Sequence, residues 1–124
     1  MKIKEKILLI KDALEDKKAL DLAILDLRGI SPFSDFWLIC SGESTIQTKT
    51  LAEAVRKKMK SSSLLPFHAE GESEGEWILL DYGDLIVHIF RKKERDFYQL
   101  EKIWRQARLV YSESEKIDSL GEVS

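Results

Sequence analysis

The stretch WILLDYGDLIVHIF, residues 77–90, decides how this 124-residue chain folds. Two apolar runs flank the tetrapeptide DYGD at residues 81–84, a pattern typical of a β-hairpin with Tyr82 and Gly83 at its tip. Antiparallel partners step apart symmetrically from such a turn, so this register places Trp77 opposite His88. The hairpin therefore assigns each side chain of the stretch to one of two sheet faces.

Alternation along the two strands separates an aliphatic face from a mixed one. The aliphatic face predicts a core packed under the helices, and it carries Ile78, Leu80, Leu85, Val87 and Ile89. The opposite face, which we call the mixed face, is predicted to carry Trp77, Leu79, Asp81, Asp84, Ile86, His88 and Phe90. A closed core tolerates such a mixture poorly, and aromatic side chains are enriched at interface hot spots, so we predict a partner-binding surface. The alternative is that a further helix covers this face and that His88 is a satisfied core histidine.

Helical or extended patterns occupy the chain on both sides of the hairpin. Apolar residues recur every three or four positions from Ile3 to Leu14, which predicts an amphipathic helix of about 13 residues. Ser44 followed by Gln47 forms a capping-box pattern that opens a second helix. The further predicted elements are strands over 20–28 and 36–42, the second helix to residue 60, a short strand from residue 67 and a C-terminal helix over 94–110. We expect one domain over residues 1–112, followed by a flexible tail over 113–124.

Length and composition exclude several classes of protein. A chain of 124 residues is the size of one domain, which disfavours a two-domain enzyme with a cleft between its halves. The net charge of -2 argues against a general nucleic-acid coat protein. The one cysteine, Cys40, cannot form an intramolecular disulfide, and no Cys/His set has zinc spacing, so no metal site is predicted. Because the N-terminus resembles neither a signal peptide nor a membrane span, we expect a cytoplasmic protein with no membrane partner.

Charge is unevenly distributed around the hairpin. Residues 70–84 contain six acidic side chains and no Lys or Arg, whereas residues 91–108 contain seven basic and three acidic ones. Such a polar charge distribution could steer a basic protein to the acidic loop while the basic segment lies near phosphates. Two solvated faces of opposite sign explain the same pattern.

Three stretches carry a combined pattern across the chain. They are DLRGISPFSDFWLICSGES at 26–44, EG followed by GEWILLDYGDLIVHIF between residues 70 and 90, and RDFYQLEKIW at 95–104. In this order and spacing they resemble the ribosomal silencing factor family, RsfS, also called Iojap-like or YbeB-like proteins. The resemblance rests on the combination rather than on a single short motif, and it extends from residue 3 to residue 110.

This resemblance implies a fold, a function and a set of partners. The fold is a small α/β domain with a nucleotidyltransferase-like mixed β-sheet and helices packed on one face. The function is translational repression: the protein docks on the large ribosomal subunit, on ribosomal protein number fourteen, and sterically blocks joining of the small subunit. Family members are often homodimers when free, so the same surface could serve self-association and ribosome binding.

Matching the family's motif to this sequence also implies roles for particular residues. The motif positions are Trp77, Leu79, Asp81, Tyr82, Gly83, Asp84, His88 and Phe90, with Tyr98 in the following helix. The hydrophobic or aromatic contacts are implied to be Trp77, Leu79, His88 and Phe90. Asp81 and Asp84 are implied to shape the turn or pair with a basic group, and Gly83 to supply a positive φ.

Two other classes of function remain open as alternatives. A nucleotidyltransferase-like fold suggests metal-assisted nucleotide transfer, which needs clustered carboxylates near a Gly-Ser element that opens a helix. The SGES sequence at 41–44 opens a helix, but no Asp-x-Asp or Glu-x-Asp pair follows on a nearby strand, so we predict neither catalysis nor a cofactor. An RNA-binding module acting in ribosome assembly is the other alternative, and ribosomal RNA is retained as a secondary contact. Its candidate residues are Lys92, Lys93, Arg95, Arg105 and Arg108.

Overall fold

A mixed β-sheet of seven strands forms the centre of the fold in the computed structural model, which describes residues 1–98 and 107–124. The helices are α1 (Ile3–Asp16), α2 (Thr45–Lys60) and α3 (Lys92–Tyr98), with a 3-10 turn at Leu120–Glu122. The strands are β1 (Leu20–Asp26), β2 (Phe36–Gly42), β3 (His68–Glu70), β4 (Trp77–Asp81), β5 (Leu85–Arg91), β6 (Arg108–Ser112) and β7 (Ile117–Asp118). The strand order across the sheet is β3-β4-β5-β2-β1-β6-β7.

Strands β2 and β5 lie side by side in parallel, and the other neighbouring pairs are antiparallel. Parallel neighbours need a crossover connection, and here the chain makes it through α2 before returning along β3 and β4 to β5. The predicted α/β class with a mixed sheet in a single domain is confirmed.

The two long helices pack on one face of the sheet because each presents an apolar stripe to it. Ile7 and Ile10 of α1, and Leu51 and Val55 of α2, are fully buried in the main core cluster. Helix α2 begins where the capping-box pattern predicts: the Ser44 Oγ accepts a hydrogen bond from the backbone N–H of Gln47 at 3.2 Å. This aliphatic face is closed by the two helices.

The predicted C-terminal helix over 94–110 is only partly correct. A helix does follow β5: α3 covers Lys92–Tyr98. Residues 99–106, which the prediction includes in the helix, lie outside the described residues. Residues Arg108–Ser112 form strand β6, which pairs with β1. Its sequence, RLVYS, alternates in burial and contains the strand-favouring residues Val110 and Tyr111. This segment forms a strand because it pairs with the edge of β1. The spacing of apolar residues along the segment carries no information about that distant partner.

The last twelve residues, for which a flexible tail is predicted, contain two short elements in the structure. Strand β7 pairs with β6, and the 3-10 turn that follows buries Leu120 and Val123 in the main core cluster. The Arg28 guanidinium donates a hydrogen bond to the backbone oxygen of Ser124 at 3.1 Å. Apolar contacts and backbone pairing therefore hold this segment against the domain.

Candidate partner-binding surface

Strands β4 and β5 place their side chains on the two faces that their alternation predicts. The aliphatic set is buried beneath α1 and α2, and it consists of Ile78, Leu80, Leu85, Val87 and Ile89. The intervening residues of both strands turn to the mixed face, on the side of the sheet away from those helices. They are joined there by Trp37 from β2, which pairs with β5 at Ile86.

The hairpin pairs its strands in a register two residues away from the predicted one. Trp77 lies opposite Phe90 instead of His88. The Tyr82 amide donates a hydrogen bond across the hairpin at 2.9 Å, so the tip is residues 83–84. Because the side-chain period in a strand is two, a two-residue shift leaves every strand side chain on its predicted face.

The two acidic residues of the turn separate to opposite sides of the sheet. Asp81 accepts a hydrogen bond from the Gly83 amide at 2.7 Å, and it thereby shapes a turn in which Gly83 has a φ of 90°. Asp84, at the displaced tip, instead forms an ion pair with Lys6 of α1 at 3.0 Å. The prediction that Asp84 lies on the mixed face is therefore wrong, since its side chain reaches the helix side.

Aromatic rings cover one end of the mixed face in a continuous cluster. The Trp77 ring stacks on Phe90 with 4.8 Å between centroids, and Tyr98 of α3 lies 4.9 Å from the Trp77 centroid. The His88 ring packs edge-on against Trp37 at 4.5 Å. We call these five residues the aromatic cluster. Such contacts are favourable beyond their buried area and fix the relative orientation of the rings.

His88 lies inside this cluster and is only 3% exposed. Its Nδ1 accepts a hydrogen bond from the Trp77 indole Nε1 at 3.1 Å, whereas its buried Nε2 has no hydrogen-bond partner in the described part of the chain. Burial lowers the pKa of His88 to about 3, so the imidazole is neutral at physiological pH. Phe90 is fully buried as well. Neither side chain is open to a partner, so the predicted direct contacts through them do not fit this structure.

The open part of the mixed face comes from side chains around these two buried ones. Trp77, Leu79 and Ile86 are partly exposed. Tyr98 is 45% exposed, and its neighbour Phe97 is 80% exposed. An apolar and aromatic strip therefore remains accessible from the middle of the sheet to α3, with a buried floor beneath it.

Helix α3 is fixed over the end of the mixed face by polar contacts. Arg95 is largely buried and donates a hydrogen bond from Nη1 to the Ser41 hydroxyl at 3.1 Å. Arg91 binds both carboxylate oxygens of Glu94, at 2.6 and 2.7 Å, and this pairing lowers the pKa of Glu94. These contacts place Tyr98 beside Trp77.

The oppositely charged segments of the sequence meet at one end of the hairpin. The backbone N–H of Arg91 donates to the Glu76 oxygen at 2.9 Å, so the acidic β3–β4 loop adjoins the start of α3. Lys92 and Lys93 are exposed there. In the described part of the chain, the charges therefore adjoin each other rather than form two separate poles.

Trp37 and Phe97 also belong to this surface, and neither is among the predicted contact residues. Trp37 is partly exposed, and its indole Nε1 donates a hydrogen bond to the Ser34 hydroxyl at 3.0 Å. Its signal was available, because alternation along FWLICSG places Trp37 on the face opposite Phe36 and Leu38. Phe97 gave no comparable signal, since its exposure depends on where α3 lies.

Other chemistry has little support in the described residues. Cys40 is fully buried, and desolvation raises the pKa of its thiol to about 12, so it is poorly suited to act as a nucleophile. Residues 1–98 and 107–124 contain no group of three or more His, Cys, Asp or Glu side chains placed to hold a metal ion. Nor does any helix within these ranges have the length and hydropathy needed to span a membrane.

Comparison with known proteins identifies the family. A family model described as "Ribosomal silencing factor during starvation" matches residues 1–123. The chain belongs to the RsfS family. It is 40% identical over 98 residues to the ribosomal silencing factor of Bacillus subtilis, covering 79% of this chain and 83% of that protein. The RsfS protein of Halalkalibacterium halodurans is 38% identical over 110 residues, covering 89% and 94% of the two chains.

The fold comparison agrees with this assignment. The crystal structure of a protein from Chromobacterium violaceum superposes on this RsfS family member with a TM-score of 0.82 and 35% sequence identity. The match covers 85% of this chain and 88% of that one. Ribosome-associated regulation of translation is thus the functional class of this protein.

Proposed function

We propose that this protein represses translation by docking its mixed face on the large ribosomal subunit and blocking the joining of the small subunit. The contact is made with ribosomal protein number fourteen, in the cytoplasm, and no bond is made or broken in the process. Membership of the RsfS family supports the ribosomal partner. The partly exposed Trp77 beside the exposed Tyr98 carries the choice of surface.

The physical case rests on the contrast between the two sheet faces. The aliphatic face is already covered by α1 and α2, whereas the mixed face leaves Trp77, Leu79 and Ile86 partly open. Rigid aromatic side chains contribute much contact area and lose little conformational entropy on binding. A buried floor of His88 and Phe90 keeps the open side chains in place before the partner arrives.

The same strip is also the surface through which we propose that the free protein self-associates. Two copies that pair through Trp77 and Tyr98 would cover the apolar area that a ribosomal protein covers in the complex. Dimerisation and ribosome binding are therefore expected to be mutually exclusive. Exposed Lys92 and Lys93 adjoin the strip and provide a secondary contact with ribosomal RNA.

Replacement of Trp77 tests the proposal. Trp77→Ala is expected to weaken co-sedimentation with isolated large subunits by about thirtyfold, because truncation of an interface hot spot costs about 2 kcal/mol. The variant should also fail to prevent joining of small subunits in a sucrose gradient, at concentrations where the unaltered protein prevents it.

Phe67→Ala is a matched control, because Phe67 is an aromatic residue that is 82% exposed, lies immediately before β3 and is outside the aromatic cluster. It should bind and block as the unaltered protein does. A circular dichroism melt of each variant establishes that the fold is retained. Normal joining at saturating unaltered protein would rule out the proposed function.

A further inference from the structure

The tautomer of His88 follows from its surroundings. A neutral imidazole carries a proton on one nitrogen only, and here Nδ1 accepts the hydrogen bond from Trp77, so the proton is on Nε2. That N–H is buried and has no acceptor among the described residues. The unpaired donor is thus the chemical consequence of using Nδ1 as an acceptor.

Packing alone gives no reason for a histidine at this position. A buried donor without a partner destabilises the folded state, whereas an apolar ring of similar size carries no such penalty. The rings around His88 are those of Trp37, Trp77 and Phe90, and ring contacts of this kind need an aromatic ring rather than a ring nitrogen. The feature that distinguishes histidine here is the lone pair on Nδ1.

That lone pair accepts the hydrogen bond from Nε1, the one polar atom of the Trp77 side chain. Stacking on Phe90 and contact with Tyr98 hold the Trp77 ring in the cluster, but neither contact requires the indole nitrogen to point in a given direction. The hydrogen bond to His88 does fix the direction of the indole nitrogen, because rotating the indole by half a turn would move Nε1 away from its acceptor. Trp37, packed edge-on against His88, in turn holds the acceptor ring.

We propose that His88 is a positioning residue for partner binding, whose Nδ1 holds the Trp77 indole in the orientation that a docking protein meets. This inference rests on the proposed function, since it concerns the same surface. His88 acts through Trp77 and does not touch the partner itself. Histidine at this position lowers the folding stability of the free chain, but it holds Trp77 in one orientation before the partner binds.

The test is a double-mutant cycle with His88→Phe and Trp77→Phe. His88→Phe removes the acceptor, and Trp77→Phe removes the donor while keeping an aromatic ring. Affinity for isolated large subunits is measured by co-sedimentation for the full-length unaltered chain, both single variants and the double variant. His88→Phe is expected to weaken binding about threefold to tenfold, as for the loss of one hydrogen bond, in the presence of Trp77 and to have no further effect on the Trp77→Phe background.

Two further measurements separate positioning from a merely structural role. In His88→Phe the Trp77 indole N–H signal in a ¹H–¹⁵N NMR spectrum should shift and exchange faster with solvent. The urea midpoint of the same variant should be unchanged or higher, because the unpaired donor is gone. If His88→Phe does not fold, His88→Leu takes its place in the cycle, since it removes the same acceptor with a smaller apolar side chain and leaves Trp77 intact.

The outcomes distinguish this inference from the function on which it rests. If the unaltered chain does not bind large subunits, the proposed function fails, and the docking role of His88 fails with it. If the unaltered chain binds and His88→Phe binds equally well, only the positioning role is overturned. Equal losses from His88→Phe on both backgrounds, or a loss of binding in step with a loss of stability, would also overturn it.

Discussion

At the scale of single residues, burial controls the chemistry of the candidate surface. The pKa of His88 falls from its ordinary value of 6.5 to about 3, because the cluster of rings around it gives the charged form no solvation. The unfolded chain therefore binds a proton at His88 at a higher pH than the folded chain. Stability contributed by the neutral imidazole is complete above pH 6.5 and is lost as the pH falls towards 3.

This sign gives a prediction for acid stability. The unaltered protein should lose roughly 2 kcal/mol of unfolding free energy between pH 7 and pH 5 relative to His88→Phe, which has no proton to bind at this position. Urea denaturation at the two pH values measures the difference, and other titrating groups cancel in the comparison. Parallel pH profiles for the two proteins would contradict the burial of His88.

Residue roles were predictable from sequence where they depend on neighbours along the chain. The turn-shaping role of Asp81 and the positive φ of Gly83 are local, and the structure has both. The burial of His88 depends on Trp37, which is distant in sequence, and on where α3 lies. Asp84 lies on the helix side instead of the mixed face, where its carboxylate forms an ion pair with Lys6 of α1. This contact joins residues far apart in the sequence, so local alternation does not predict it.

At the scale of elements, alternation and capping correctly predict features set by neighbouring residues, such as sheet faces and helix starts. The hairpin register and the C-terminal strand depend instead on which strands pair. The two hairpin faces are predicted correctly although the predicted register is wrong by two residues, because a shift of two residues leaves each side chain on the same face of the sheet. Helix α2 and strand β2 agree with their predicted patterns for the same local reasons. The helix predicted over 94–110 extends too far, because the helical spacing continues to residue 107 whereas Arg108–Ser112 pair with β1 as strand β6.

The C-terminal segment supplies a prediction at this scale. Leu120 is 6% exposed and packs in the main core cluster, so Leu120→Ala should lower the free energy of unfolding by about 2–4 kcal/mol. The urea midpoint measures this, with Ile46→Ala as the control, because Ile46 is 78% exposed. A Leu120→Ala protein as stable as the unaltered one would mean that the segment is as flexible as the sequence first indicated.

At the scale of the whole molecule, the two sides of the sheet differ in how completely they are covered. Helices α1 and α2 close the aliphatic side, and α3 lies over one end of the other. The partly exposed strip on that side adjoins both the acidic β3–β4 loop and the basic start of α3. A partner that docks on Trp77 would therefore meet apolar, acidic and basic groups within one region, which favours specificity over raw affinity.

Site-specific photo-crosslinking tests most directly whether the mixed face is the docking face. A benzophenone amino acid replaces Tyr98 on the mixed face or, as the control, Ile46 on α2, both of which are exposed. Each protein is irradiated with isolated large subunits, and the adducts are identified by mass spectrometry. We expect an adduct with ribosomal protein number fourteen from position 98 and none from position 46. Adducts from position 46 in the absence of any from position 98 would contradict docking through the mixed face.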